Sequence, residues 1–243
     1  MKRIICAILC ITTVFALGSC SNKATTGNAG TASNSPFPET IINAAEYTLY
    51  QNLYYVDDTD VSAYLNKDVT KEGIFTTLND KYSDVTRYYV WGYYDQTLCC
   101  DWQWEFIPKD INSLPPVGST VKVSGVFKEN PDALDSYEIE NADVTVEKEY
   151  KPRDIDIDAT MMNGTLERVQ VFNLQNYAED FEGKTVSVYG RIMANGVVQH
   201  PYYDECFSVA FDPADEELPI GTNVIVTGTF TNGGISGATV TKY

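Results

Sequence analysis

Two adjacent cysteines, Cys99 and Cys100, run straight into Asp101, Trp102, Gln103, Trp104, Glu105 and Phe106. These residue types offer several chemistries. Thiolates bind soft or borderline ions such as zinc or copper. A metal centre would draw on Cys99, Cys100 and Cys206, with Glu105 or His200 in reserve. Two neighbours on a flat strand point to opposite faces, however, and converge on one ion only across a bulge. A redox pair fits less well, since there is no C-x-x-C spacing and a bond between neighbours is strained. The aromatic groups suggest a ligand platform on which Trp91, Trp102, Trp104 and Glu105 contact a small polar molecule or a glycan. The fourth reading is packing. On a continuous strand Cys100, Trp102, Trp104 and Phe106 share one face, and Cys99, Asp101, Gln103 and Glu105 share the other. The first set suits a core, because a free thiol behaves as a small buried hydrophobe. Packing is the preferred reading for the cysteines and for most of DWQWEF.

The rest of the chain assembles no catalytic set. Its one histidine, His200, excludes any site that needs two imidazoles and leaves no dependable Ser-His-acid order. No phosphate loop or dinucleotide fingerprint is present. Asp154, Asp156 and Asp158 alternate as in a calcium loop, but Ala159 and Thr165 stand where that loop needs glycine and a carboxylate. The expectation is therefore a protein without enzymatic activity and without a cofactor. There are 17 basic residues against 34 acidic ones, a net charge of −17. That balance argues against nucleic acid, whose phosphate backbone calls for a basic stripe.

The elements that must position these residues come from an internal repeat. Residues 64–75 (YLNKDVTKEGIF) match 181–192 (FEGKTVSVYGRI), and 114–127 (LPPVGSTVKVSGVF) match 218–230 (LPIGTNVIVTGTF). A third block, 141–146, matches 237–242, in the same order. Each unit alternates apolar and polar residues between turn signals, which reads as all-β with short helices. The plan is two OB-like, five-stranded Greek-key barrels in tandem, with a glycine bend in each long first strand. The first spans residues 41–150 and the second 151–243. Met162, Leu166, Val169 and Phe172, or the neighbouring register, predict a helix that caps the second barrel. The stretch 39–65 is expected to do the same for the first, on a weaker pattern. Residues 147–159 read as an extended linker with solvated aspartates and buried Ile155 and Ile157.

The N-terminus opens with Lys2 and Arg3, followed by an apolar run from Ile4 to Leu17. This is the layout of a secretory signal. Its end, Leu17-Gly18-Ser19-Cys20, resembles the lipobox of bacterial lipoproteins. The resemblance implies cleavage after residue 19 and lipid on Cys20. Loss of the leader leaves 15 basic residues against 34, a charge near −19. Residues 20–40 are small and polar and read as a flexible, disordered tether. The mature chain is then extracytoplasmic and held to the cell membrane by its lipid.

Over nearly all of residues 41–243 the sequence resembles a family of uncharacterised bacterial OB-fold lipoproteins. In the second unit Asp158, Thr160, Met162, Gly183, Lys184, Thr185, Val186 and Gly190 carry the resemblance. In the first, Asp95, Cys99, Cys100, Glu105 and Phe106 carry it. It implies a fold and a location, and no activity. The expected partners are the membrane through the lipid, and a protein complex of the envelope or a small polar ligand such as a glycan.

Overall fold

A computed structural model describes residues 30–33, 37–39, 41, 64–81, 83–94, 96, 101–131, 136–194, 196–199, 208–212 and 218–242. The all-β expectation holds: the described chain forms two sheets. The first contains β1 (Gly30–Ser33), β2 (Asp68–Asp80), β3 (Val85–Tyr93), β4 (Asp101–Pro108), β5 (Thr120–Glu129) and β6 (Tyr137–Tyr150). β2, β3 and β4 pair in antiparallel order, β4 pairs parallel with β6, and β5 joins β6 back to β2. Five strands thus close on themselves, apart from the far end of β6 beyond its pairing with β4. The second sheet contains β7 (Ile157–Asp158), β8 (Thr185–Ala194), β9 (Val197–Gln199), β10 (Ser208–Ala210), β11 (Asn223–Thr231) and β12 (Gly234–Lys242). It runs β10-β9-β8-β11-β12, and a parallel bridge from Phe211 to Ile235 links its two ends.

The sequence repeat is also a repeat of backbone geometry. In the first unit Asn66 N donates to Phe127 O and Phe127 N to Lys67 O; in the second, Gly183 N donates to Phe230 O and Phe230 N to Lys184 O. The turns entering β5 and β11 match through Gly118 and Gly221, whose φ values of 91° and 89° suit glycine. Gly73 and Gly190 allow close strand crossing. A Cβ on Gly73 would lie 2.5 Å from Trp91 O, and one on Gly190 would lie 2.6 Å from Gln199 O. These matches set Val90 against Val198, Trp104 against Val209 and Glu105 against Ala210.

Strand period decides what each first-sheet residue faces. Phe75, Val90, Trp102, Trp104, Phe106, Val121, Val123, Phe127 and Ile139 fill the interior. The opposite parity on β2 and β3 puts Ile74, Leu78 and Trp91 outside, where they join the apolar cluster of the second unit. Trp91 Nε1 donates to Met161 O across this junction.

The helix α1 (Gly164–Asn176) lies between the two sheets. Asn163 caps it, accepting from Leu166 N at 2.9 Å. The expected register is half right. Met162 and Leu166 are buried, but Val169 and Phe172 are 40 % and 53 % exposed. The face turned inward carries Leu166, Glu167, Gln170, Val171, Asn173 and Leu174. Polar groups occupy it because the helix meets backbone groups of β2 and β8 that it must satisfy. Asn173 Nδ2 donates to Asn79 O, and Glu167 Oε1 accepts from Tyr189 N.

Two further expectations change. The segment 20–40 is not a free tether throughout: β1 pairs parallel with the end of β6, Gly30 with Lys148 and Ser33 with Tyr150. β4 stops at Pro108, leaving that stretch of β6 with an open edge. Farther on, Phe37 meets the Tyr189 ring, and Ile41 O accepts from Tyr93 N. The linker aspartates are also not simply solvated. Asp158 grips Arg153, and Asp156 accepts from Thr185 N. Ile155 and Ile157 are only half-buried. The helix expected within 39–65 falls largely outside the described residues.

Candidate functional site

The outward side chains of β2, β3 and β4 build the candidate site. In register, Leu78 opposes Arg87, Tyr89 opposes Glu105, and Trp91 opposes Gln103. All of these point away from the interior. Toward Trp91 the helix and the second unit cover them. Toward Arg87 they stay open and form one side of a groove of about 450 Å³. Thr165, Leu166 and Val169 of α1 form the facing side, and Ser136 and Tyr137 close one end.

Arg87 organises the groove. Its Nη1 donates to Glu105 Oε1 at 2.8 Å and its Nε to Asp80 Oδ2 at 3.0 Å. Burial works against the guanidinium charge, but the bonds to Glu105 and Asp80 outweigh it and hold its pKa above the ordinary arginine range. Asn130 Nδ2 donates to Glu105 Oε2, and Ser83 Oγ to Asp80 Oδ2. The carboxylates are therefore held by several donors, and the pair is rigid. Tyr89 stays a phenol: burial raises its pKa, and the Glu105 charge adds to that. At the end nearest the helix, Gln103 Oε1 accepts from Asn163 Nδ2 at 2.8 Å. Asp101 accepts from the backbone of Thr165 and Gly164, and burial raises its pKa against those bonds. The arrangement offers hydroxyls, an amide and one guanidinium on a rigid wall, with Leu78, Leu166 and Val169 as apolar contacts.

Among the residues singled out in sequence, Glu105 lies in this groove. The three tryptophans do not form a platform. Trp102 and Trp104 are interior, and Trp91 is covered by the second unit, all at 3 % exposure or less. The reason is size: aromatic rings bury the most apolar surface and go where a closed sheet has room. Parity within DWQWEF holds, with Trp102, Trp104 and Phe106 buried and Asp101, Gln103 and Glu105 half-buried on the other face. Cys20, Cys99, Cys100, Cys206 and His200 lie outside the described residues. Among the described residues no three histidine, cysteine, aspartate or glutamate side chains gather as for a metal ion.

Sequence reasoning missed Asp80, Arg87, Tyr89, Gln103 and Thr165. The signal for Gln103 was present, since it shares the Glu105 face. Arg87 needed the register between β3 and β4, which the intervening turn conceals. The second unit lacks the cluster, having Val197 and Ala210 where the first has Tyr89 and Glu105.

No family model matches the chain, and no curated protein matches it in sequence.

Proposed function

We propose that this is an extracytoplasmic lipoprotein, anchored through Cys20, that serves as a non-enzymatic binding module of two OB-like units. The groove between the first sheet and α1 takes a small polar ligand of the glycan class. One observation carries the ligand reading: the Arg87–Glu105–Asp80 cluster fixes a polar wall beside phenol, amide and hydroxyl groups. Sugars bind by many neutral hydrogen bonds on a pre-formed surface, with apolar contact on one face. Because both carboxylates are engaged by Arg87, the groove suits an uncharged ligand better than a strong anion. The mature charge near −19 favours the same class over nucleic acid.

NMR titration of the mature chain with neutral mono- and disaccharides tests the ligand reading. Saturable shifts at Tyr89, Gln103 and Tyr137, weakened at least tenfold in Gln103→Ala, are expected. Absence of shifts with every sugar removes it. The anchor has its own test: Cys20→Ala abolishes labelling by a palmitate analogue and releases the protein from membranes. Among the described residues no helix is long and apolar enough to cross a membrane.

A further inference from the structure

A second cavity, of about 230 Å³, lies at the junction of the two units. Thr77, Asn79 and Tyr150 line it from the first unit, Phe181 from the second, and residues 152–158 of the linker run past it. On α1, Gln170 faces this space. Its residue is 3 % exposed, on the inward helical face that carries Leu166 and Leu174. The neighbouring polar groups of that face, Glu167 and Asn173, each meet a backbone partner. The Gln170 carboxamide has no hydrogen-bond partner among the described residues. An amide whose atoms reach a cavity but meet no protein partner must be paired by water or by a ligand. This one is held by a helix and aimed into a space large enough for a small molecule.

The walls narrow the ligand class. Met161, Met162 and Phe181 provide soft apolar contacts on a compact body. Arg153 lines the cavity, but Asp158 holds its Nε and Nη2, and Thr160 accepts from Nη2 as well. That cation is neutralised within its own wall. Lys184 and Asp156 add one charge of each sign, so the lining carries no net charge to recruit an ion. The distinctive group is the carboxamide itself, which presents an acceptor beside a donor. Its complement is an edge with a donor beside an acceptor. Cavities between packed units are common ligand sites.

We propose that the inter-unit cavity is a second binding site, for a small uncharged molecule whose edge carries adjacent donor and acceptor groups, as a cyclic amide does. Gln170 reads that edge and the two methionines hold the body. A bound molecule touches both units and therefore ties them together. The site is separate from the groove and does not depend on the groove's ligand.

The test uses 2-pyrrolidinone, a compact lactam, against N-methyl-2-pyrrolidinone, which keeps the carbonyl and loses the N–H. Each is titrated into isotope-labelled mature chain and followed by NMR. The lactam is expected to shift the Gln170 side-chain amide and the methyls of Met161 and Met162 saturably, with the N-methyl analogue at least tenfold weaker. Gln170→Leu should abolish these shifts with a melting temperature no lower than that of the parent, and Gln103→Ala in the groove should leave them intact. Equal binding of both probes, shifts that persist in Gln170→Leu, or no saturable shift, as for a cavity that takes only water, overturns the proposal. The two probes on the unaltered chain decide the matter even if the variant does not fold.

Discussion

At the scale of single residues, the clearest separation is within one strand. Trp104 is interior, packs 5.3 Å from the Phe127 ring, and has Lys71 Nζ 4.5 Å from its centroid. Trp104→Ala should cost about 3–5 kcal/mol in urea unfolding, as for other buried large aromatics. Glu167 supports a prediction about pH. It is fully buried on α1, and burial, assisted by the Asp158 charge, holds its carboxyl well above the usual carboxylate range. The folded chain thus keeps a proton that the unfolded chain has already released. Its contribution is complete below the unfolded value of about 4.3 and is lost as pH rises through the folded value. Glu167→Gln carries the neutral form at every pH. Relative to the parent it should gain stability as pH rises from 4.5 to 7.5, read from paired unfolding curves. A constant difference across that range would mean that Glu167 does not titrate there. The alternation in DWQWEF was legible because strand period is a local property. The Arg87–Glu105 pair was not, because it joins residues 18 apart through a register set by the whole hairpin.

Among the elements, α1 shows where sequence pattern and structure diverge. Val169 and Phe172 look like core and face out, while Glu167, Gln170 and Asn173 look like surface and face in. Periodicity assumes one apolar environment, whereas this helix touches two sheets and satisfies their backbone groups. Only the contents of both units together could have revealed the register. The cap was readable in principle, since Asn163 precedes the helix directly. Asn163→Ala removes both the cap and the bond to Gln103, and should cost about 1–3 kcal/mol. Phe172→Ser, on the outer face, should stay within about 0.5 kcal/mol. Thermal or urea unfolding of the two variants checks both. If Phe172→Ser proves the costlier, the register described above is wrong.

For the molecule as a whole, the repeat was the most legible feature. Its glycines and turn residues recur because both units solve the same crossing and turning problems. The contact between the units was not legible: it uses the unrepeated Trp91 and the polar face of α1, for which neither copy supplies a pattern. Residues 151–243 should fold alone, with a dispersed NMR spectrum, because they hold the second sheet and its helix. Their urea midpoint should fall below that of the intact chain, since Met162 and Leu166 lose their cover from the first unit. An undispersed spectrum would show that the units are one cooperative body.

The docking of β1 on β6 has a mechanical corollary. If Cys20 carries lipid as proposed, the stretch between the anchor and the first sheet ends at Gly30 rather than at residue 40. At about 3.3–3.6 Å per residue, that leash spans roughly 30 Å at full stretch. On the proposed anchoring through Cys20, the first sheet would be kept within a few nanometres of the bilayer, and whatever the groove engages would have to come to the membrane. Peeling β1 from β6 would add reach without any change in the globular part.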